Sequence, residues 1–191
     1  MKKTIQIGLL CFLLISLFFF YKKYFTKNDK IIAKTNTLKI DQEQKDDENI
    51  IKNLNYEIIL DKNTKYTISS DYSELVYLEN TEIIKMKKVK GEIIDNNKMT
   101  IIITSGRAEY NSLDHSTKFA DNVLIEYLNN KIFSDNLDLN FNNNLIKIYK
   151  NVKYLGSNGE MVADNININF LTKKINIYMD NDYNNVRLYK Y

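Results

Sequence analysis

One short pattern returns along this chain at a spacing of 29 residues. Lys118-Phe119-Ala120-Asp121-Asn122-Val123 is followed by Phe133-Ser134-Asp135-Asn136-Leu137-Asp138-Leu139-Asn140-Phe141. The first phrase returns as Asn151-Val152-Lys153-Tyr154, and the second as Val162-Ala163-Asp164-Asn165-Ile166-Asn167-Ile168-Asn169-Phe170. Asn122 to Asn151 and Asp135 to Asp164 are both 29 residues apart, and Ser134 steps back by the same distance to Ser105. A looser copy, Ile68-Ser69-Ser70-Asp71-Tyr72, comes earlier. Lys88-Val89 lies 34 residues before Asn122-Val123, and Asn185-Val186 lies 34 after Asn151-Val152. Self-similarity at a period of this size signals stacked supersecondary units.

Within each unit apolar and polar residues alternate. Val123, Ile125 and Tyr127 point one way. Leu137, Leu139 and Phe141 do so against Asp138 and Asn140, and Ile166, Ile168 and Phe170 against Asn165, Asn167 and Asn169. Strict alternation marks a strand with one buried face. The unit is therefore a pair of strands, and from about Asn53 onward the chain is a run of such pairs. Turns fall at Asp61-Lys62-Asn63, Asn80-Thr81, Asp95-Asn96-Asn97-Lys98, Asn129-Asn130, Asn142-Asn143-Asn144, Ser157-Asn158-Gly159 and Thr172-Lys173-Lys174. Asn and Gly tolerate the positive φ that tight hairpins need. Gly91 reads as a bulge or a close approach. No stretch after Phe25 has a 3.6-residue period, so the class is all-β: a sandwich, a barrel or a roll.

The side chains supply little chemistry. Formal charge is +3, the two signs are interspersed, and Arg107 and Arg187 are the only arginines, so no nucleic-acid partner is expected. Cys11 is the only cysteine, which excludes an intrachain disulfide. His115 is the only histidine, in Leu113-Asp114-His115-Ser116-Thr117. Its neighbours invite a triad, but a triad is judged in space and not along the chain. No Cys/His cluster has metal-ligand spacing and no Gly-rich loop suits a phosphate. No enzyme activity, metal or cofactor is expected. Asp135 and Asp164 occupy equivalent repeat positions and read as structural. Lys147, Lys150 and Lys153 read as a solvated strand face, with lipid phosphates as the alternative.

The N-terminus is of another kind. After Met1-Lys2-Lys3, residues 5–21 are apolar apart from Gln6 and Ser16, and the stretch extends to Phe25 past Lys22 and Lys23. Its length is near the minimum for a ~30 Å hydrocarbon core. No small-residue cleavage site follows, and Leu10 before Cys11 does not suit lipoprotein processing. The expectation is a cytoplasmic tail at residues 1–4, an uncleaved transmembrane helix at 5–25, a polar linker at 26–52 and a folded domain at 53–191. Lysines flank the anchor on both sides, so charge alone does not orient it. The short tail favours the N-terminus in the cytoplasm. The cluster Asp41-Gln42-Glu43-Gln44-Lys45-Asp46-Asp47-Glu48 suits a solvated tether.

An uncleaved anchor, a polar tether and repeated strand pairs resemble the LptC family, the membrane-anchored subunit of the lipopolysaccharide export bridge. The most family-like part is Thr104-Ser105-Gly106-Arg107-Ala108-Glu109-Tyr110, then Phe119-Ala120-Asp121-Asn122-Val123. The chain departs from the family pattern at Asp121 and Lys150, where Gly is frequent. The resemblance implies an antiparallel β-jellyroll in the periplasm, open along one side, with acyl chains inside and sugars in water. The inward face assigned to lipid, as a face and not residue by residue, comprises Ile101, Ile103, Tyr110, Phe119, Val123, Ile125, Tyr127, Leu137, Leu139, Phe141, Ile148, Val152, Tyr154, Ile166, Ile168 and Phe170. The implied partners are lipopolysaccharide, the membrane subunits of an ABC transporter (LptF and LptG, with LptB), the inner membrane and the soluble bridge protein LptA. Open sheet edges would join these modules by β-augmentation. The C-terminal edge is placed at Val186, Arg187, Leu188 and Tyr189. The alternative is a tethered scaffold with a closed, filled core.

Overall fold

The computed structural model describes residues 49–59, 64–78, 81–94, 99–181 and 185–191. The expected anchor, nearly all of the expected linker, and the turns expected at Asp61-Lys62-Asn63 and Asp95-Asn96-Asn97-Lys98 lie outside these residues. Among the described residues no helix is long and apolar enough to cross a membrane.

The described chain is all-β. Its strands are β1 Ile50–Ile59, β2 Lys65–Leu78, β3 Thr81–Ile94, β4 Thr100–Asn111, β5 Thr117–Tyr127, β6 Asn130–Asn140, β7 Leu145–Gly156, β8 Gly159–Asn169, β9 Lys174–Tyr178 and β10 Arg187–Lys190. From β1 to β8 each strand pairs antiparallel with the next. The far edge of β8 is shared: β9 pairs with its second half and β10 with its first. β1 begins at Ile50, inside the segment assigned to the linker. The alternation is hidden there because Asn53 sits at a positive φ of 53° and shifts the phase.

Asn53 is one of a series, and the series explains the repeat. Lys88, Asp121, Asn122, Lys150 and Asn151 also have positive φ, at 53°, 67°, 55°, 64° and 55°. The register slips between Ala120 and Val123 and between Tyr149 and Val152. Each slip is a β-bulge that bends its strand, whereas the pairing keeps its register past Asn53 and Lys88. The facing strands bend beside them at Ser70, Ser105, Ser134 and Ala163. The Ser105 hydroxyl donates to the Arg107 carbonyl at 2.8 Å, and the Ser134 hydroxyl to the Asn136 carbonyl at 3.0 Å. The 29-residue period is thus a period of corners. Asp121 and Lys150, where the chain departs from the pattern it resembles, are left-handed here.

A polar pair braces each corner from outside. Lys88 meets Asp71 at 3.3 Å, and Arg107 holds Asp121 with two guanidinium nitrogens. The Asn151 amide donates to the Asp135 carboxylate at 2.6 Å, and the Asp180 backbone N–H to Asp164 at 2.9 Å. Asp135 and Asp164 are structural, as their repeat positions imply.

Bending at every corner folds the sheet onto itself. Tyr56 of β1 meets Tyr110 of β4 with ring centroids 5.3 Å apart. Tyr66 of β2 meets Phe141, just past β6, at 5.0 Å. None of these strands are neighbours in the sheet, so the contacts cross the interior between two layers made from the two halves of the same strands. Gly91 lies on that interior. A Cβ there would come within 3.2 Å of the Phe119 ring and 3.4 Å of the Tyr66 ring, so glycine marks a close approach.

Candidate functional site: the inward face of the folded sheet

Register alone builds the inner face. In one layer Ser73, Met86, Ala108 and Phe119 lie side by side on β2 to β5. The row continues through Leu137, Ile148, Ile166 and Ile177 on β6 to β9. In the other layer the row beside the corners pairs aliphatic with small residues: Leu54 with Ser70, Ser70 with Val89, Val123 with Ser134, and Val152 with Ala163. Alternating large and small side chains lets the layers approach closely. All of these residues are buried except Ile177.

Burial along the rows is uneven, and the trend has a direction. From β1 to β7 most of the inner face is buried, Ile58, Tyr66, Leu137 and Leu139 fully so, with Ile101, Tyr127 and Tyr154 less covered at its rim. On β8 Ile166 is still buried, but Ile168 and the following Phe170 are half-buried. On β9 Ile175 and Ile177 face the same side as Ile168 and Ile166, yet are 57% and 39% exposed. On β10 Leu188 lies beside Met161 and is 76% exposed. The apolar face thus outruns its cover at the C-terminal end. Leu171, Tyr189 and Tyr191 add exposed apolar surface there.

Of the residues assigned to the inward face, Ile103, Tyr110, Phe119, Val123, Ile125, Leu137, Leu139, Phe141, Ile148, Val152 and Ile166 are buried. Ile101, Tyr154, Ile168 and Phe170 are half-buried. Tyr127 has the inward phase but stands at the rim, 37% exposed, its hydroxyl donating to the Met99 sulfur at 3.0 Å. Leu54, Ile58, Tyr66, Ile68, Met86, Val89, Ile93, Ala108, Ile146 and Met161 share the buried face but were not assigned to it. Most lie on β1 to β3, where the repeat is degenerate. The 34-residue step from Lys88-Val89 to Asn122-Val123 was the signal that reached them. At the C-terminal edge Val186 precedes β10 and is half-buried, whereas Arg187, Leu188 and Tyr189 are exposed strand residues.

The interior holds few polar groups, and those are paired. The Tyr66 hydroxyl lies 3.1 Å from the Thr117 hydroxyl, with both residues fully buried. The Tyr110 hydroxyl lies 2.7 Å from His115 Nδ1. Burial raises the pKa of both phenols, so they are neutral hydrogen-bonding groups. The triad suggested by Asp114-His115-Ser116 is not assembled, because the Asp114 carboxylate accepts from the Ser116 N–H and hydroxyl while His115 faces Tyr110. Among the described residues no group of three or more His, Cys, Asp or Glu is arranged to hold a metal ion.

The outer face is charged. Glu74, Lys85, Glu109, Lys118, Asp138 and Lys147 lie directly opposite one another across β2 to β7, with alternating sign. Such pairs stabilise a sheet. All of them but Lys147 line a groove of about 510 Å³ with Tyr72 and Tyr149. Lys147 lies 5.1 Å from the Tyr149 ring and Lys153 pairs with Glu160 at 2.9 Å, as expected of a solvated face.

Fold and inner face together define a class: an all-β folded antiparallel sheet with an apolar interior, whose last strands carry uncovered apolar residues. The sequence matches the LptC family, described as lipopolysaccharide-assembly, LptC-related, over residues 8–183, and the chain belongs to that family. It is a family of lipopolysaccharide transport proteins and not a known enzyme family. No curated protein matches the sequence.

Proposed function

We propose that this chain is the lipopolysaccharide-binding and transfer component of an inner-membrane export transporter. It is anchored by residues 5–25 with its β domain in the periplasm. It takes lipopolysaccharide from the ATP-driven membrane subunits (LptF and LptG, with LptB) and passes it to LptA. It does not itself hydrolyse ATP. The observation that carries this reading is the exposure trend of the inner rows. An apolar face that continues in register onto β9 and β10 without cover suits a module whose interior is continued by the next one. Large uncovered apolar patches mark binding surfaces.

The test is photocrosslinking in membranes that contain the whole transporter and ATP, with the crosslinker at Ile177 and the outward Asn176 as control. ATP-dependent lipopolysaccharide adducts at Ile177 and none at Asn176 are expected. Absence of adducts at Ile177, Phe170 and Leu188 alike would overturn lipid transfer. One observation favours a second reading: the packed interior from β1 to β7 suits a scaffold with a filled core, and that reading would then stand.

A further inference from the structure

The sealed half of the interior is not sealed by corner packing alone, because a second set of contacts crosses between the layers away from the corners. Tyr66 is central to it. Its ring lies against Phe141 at 5.0 Å, it borders the space above Gly91, and its hydroxyl reaches Thr117 at 3.1 Å. These partners sit at strand ends, Thr117 as the first residue of β5 and Phe141 in the turn after β6. Beside them Tyr110 joins Tyr56 to His115. Strand ends are where a folded sheet opens, since the corners tie its other side through continuous backbone.

We infer that Tyr66, Thr117 and Phe141 form a clasp that keeps the N-terminal half of the interior shut, and that acyl chains enter this half only when the clasp parts. The inference rests on the lipid-transfer reading. Two physical points support it. First, the space is filled: at Gly91 the opposite layer approaches so closely that a methyl group would crowd Phe119, so an acyl chain has to displace Tyr66 or Phe119. Second, the chemistry of the contact is reversible. Phe at position 66 would fill the same volume without the need for a partner. A tyrosine hydroxyl paired with a threonine hydroxyl holds the layers together when closed, and water reaches both groups once the layers part, so parting leaves no buried orphan. The C-terminal rows, already uncovered, need no such step.

The test uses the full-length chain in detergent and hydrogen–deuterium exchange read by mass spectrometry. The variants are Tyr66→Phe, which keeps the ring, and Thr117→Val, which keeps the shape. Each is expected to speed exchange in peptides around 65–70 and 117–119 by roughly fivefold, the factor one buried hydrogen bond carries. The corner peptide around 150–154 is expected to stay unchanged. Micelles of hexa-acylated lipid A should then protect peptides around 165–178 in the wild type, and additionally 65–70 in the variants. No local change, or equal acceleration at clasp and corner, overturns the clasp. Lipid A that protects no peptide in any form counts against lipid transfer, while the exchange pattern still decides the clasp.

Discussion

At the scale of single residues, the corners are the positions where identity matters more than polarity. A side chain other than Gly in the left-handed region costs roughly 1–2 kcal/mol, least for Asn and Asp. That explains why Asn recurs at positions 53, 122 and 151, and leaves Lys88, at φ 53°, and Lys150, at φ 64°, as the strained lysines of the series. Lys150→Gly is expected to leave stability equal or higher, and Lys150→Val to lower it by about 1–2 kcal/mol, since a β-branched residue tolerates this conformation least. Urea unfolding of the two variants checks this; equal midpoints would refute the strain argument. Asp121 sits at the same kind of corner, and the hydrogen bond from Arg107 holds its carboxyl below the ordinary value of 3.8. A lowered folded-state pKa contributes stability at pH values above the unfolded one, and that contribution fades as pH falls through the folded value. The pair is exposed, so the effect is confined to acid and is small. Carboxyl NMR titration should show the Asp121 midpoint rising in Arg107→Gln, and an unmoved midpoint would show that the guanidinium is not the cause. The sequence exposed these corners as repeat marks, Asn-Val and Ser-Asp. Their left-handed geometry was not legible, because Asp and Lys there read as ordinary surface residues.

At the scale of elements, alternation told the inward side from the outward side from β4 to β8 with few errors. It did not reveal burial, because burial depends on which layer lies opposite. Leu137 and Ile175 have the same apolar, strand-like signature, and they lie on the inward side of β6 and β9, three strands apart in the sheet. The first is fully buried and the second is 57% exposed. Leu137→Ala should therefore cost about 2–5 kcal/mol, as large-to-small changes in packed cores do. Ile175→Ala should stay within about 0.5 kcal/mol, the range of surface changes. Denaturant melts of the full-length chain measure both, and a large loss at Ile175 would mean that β9 is covered in solution. The last strands were the least legible. Asn185-Val186 continues the repeat spacing, yet β10 starts at Arg187 and pairs with the first half of β8 instead of following β9 along a common neighbour's full length. A motif two residues long does not specify which half of an edge a strand takes.

For the whole molecule, the two ends of the roll differ, and that difference carries a prediction that neither end makes alone. The N-terminal half is a packed core, so its residues report on folding. The C-terminal rows are apolar without being needed for the fold, so they report on what covers them. A carboxylate on an exposed residue costs little in the isolated chain, whereas in a water-excluding interface it costs several kcal/mol unless it is paired. Ile177→Asp combined with Leu188→Asp is therefore expected to leave unfolding of the full-length chain nearly unchanged, within about 1 kcal/mol for two surface changes. In membranes with the complete transporter the same variant should lose most transfer of lipopolysaccharide to the bridge protein. A variant that unfolds would place these residues in the core. A stable variant with normal transfer would show that the uncovered end carries neither lipid nor partner. Only stability retained together with transfer lost fits a roll whose sealed half holds the fold and whose open half serves the next module.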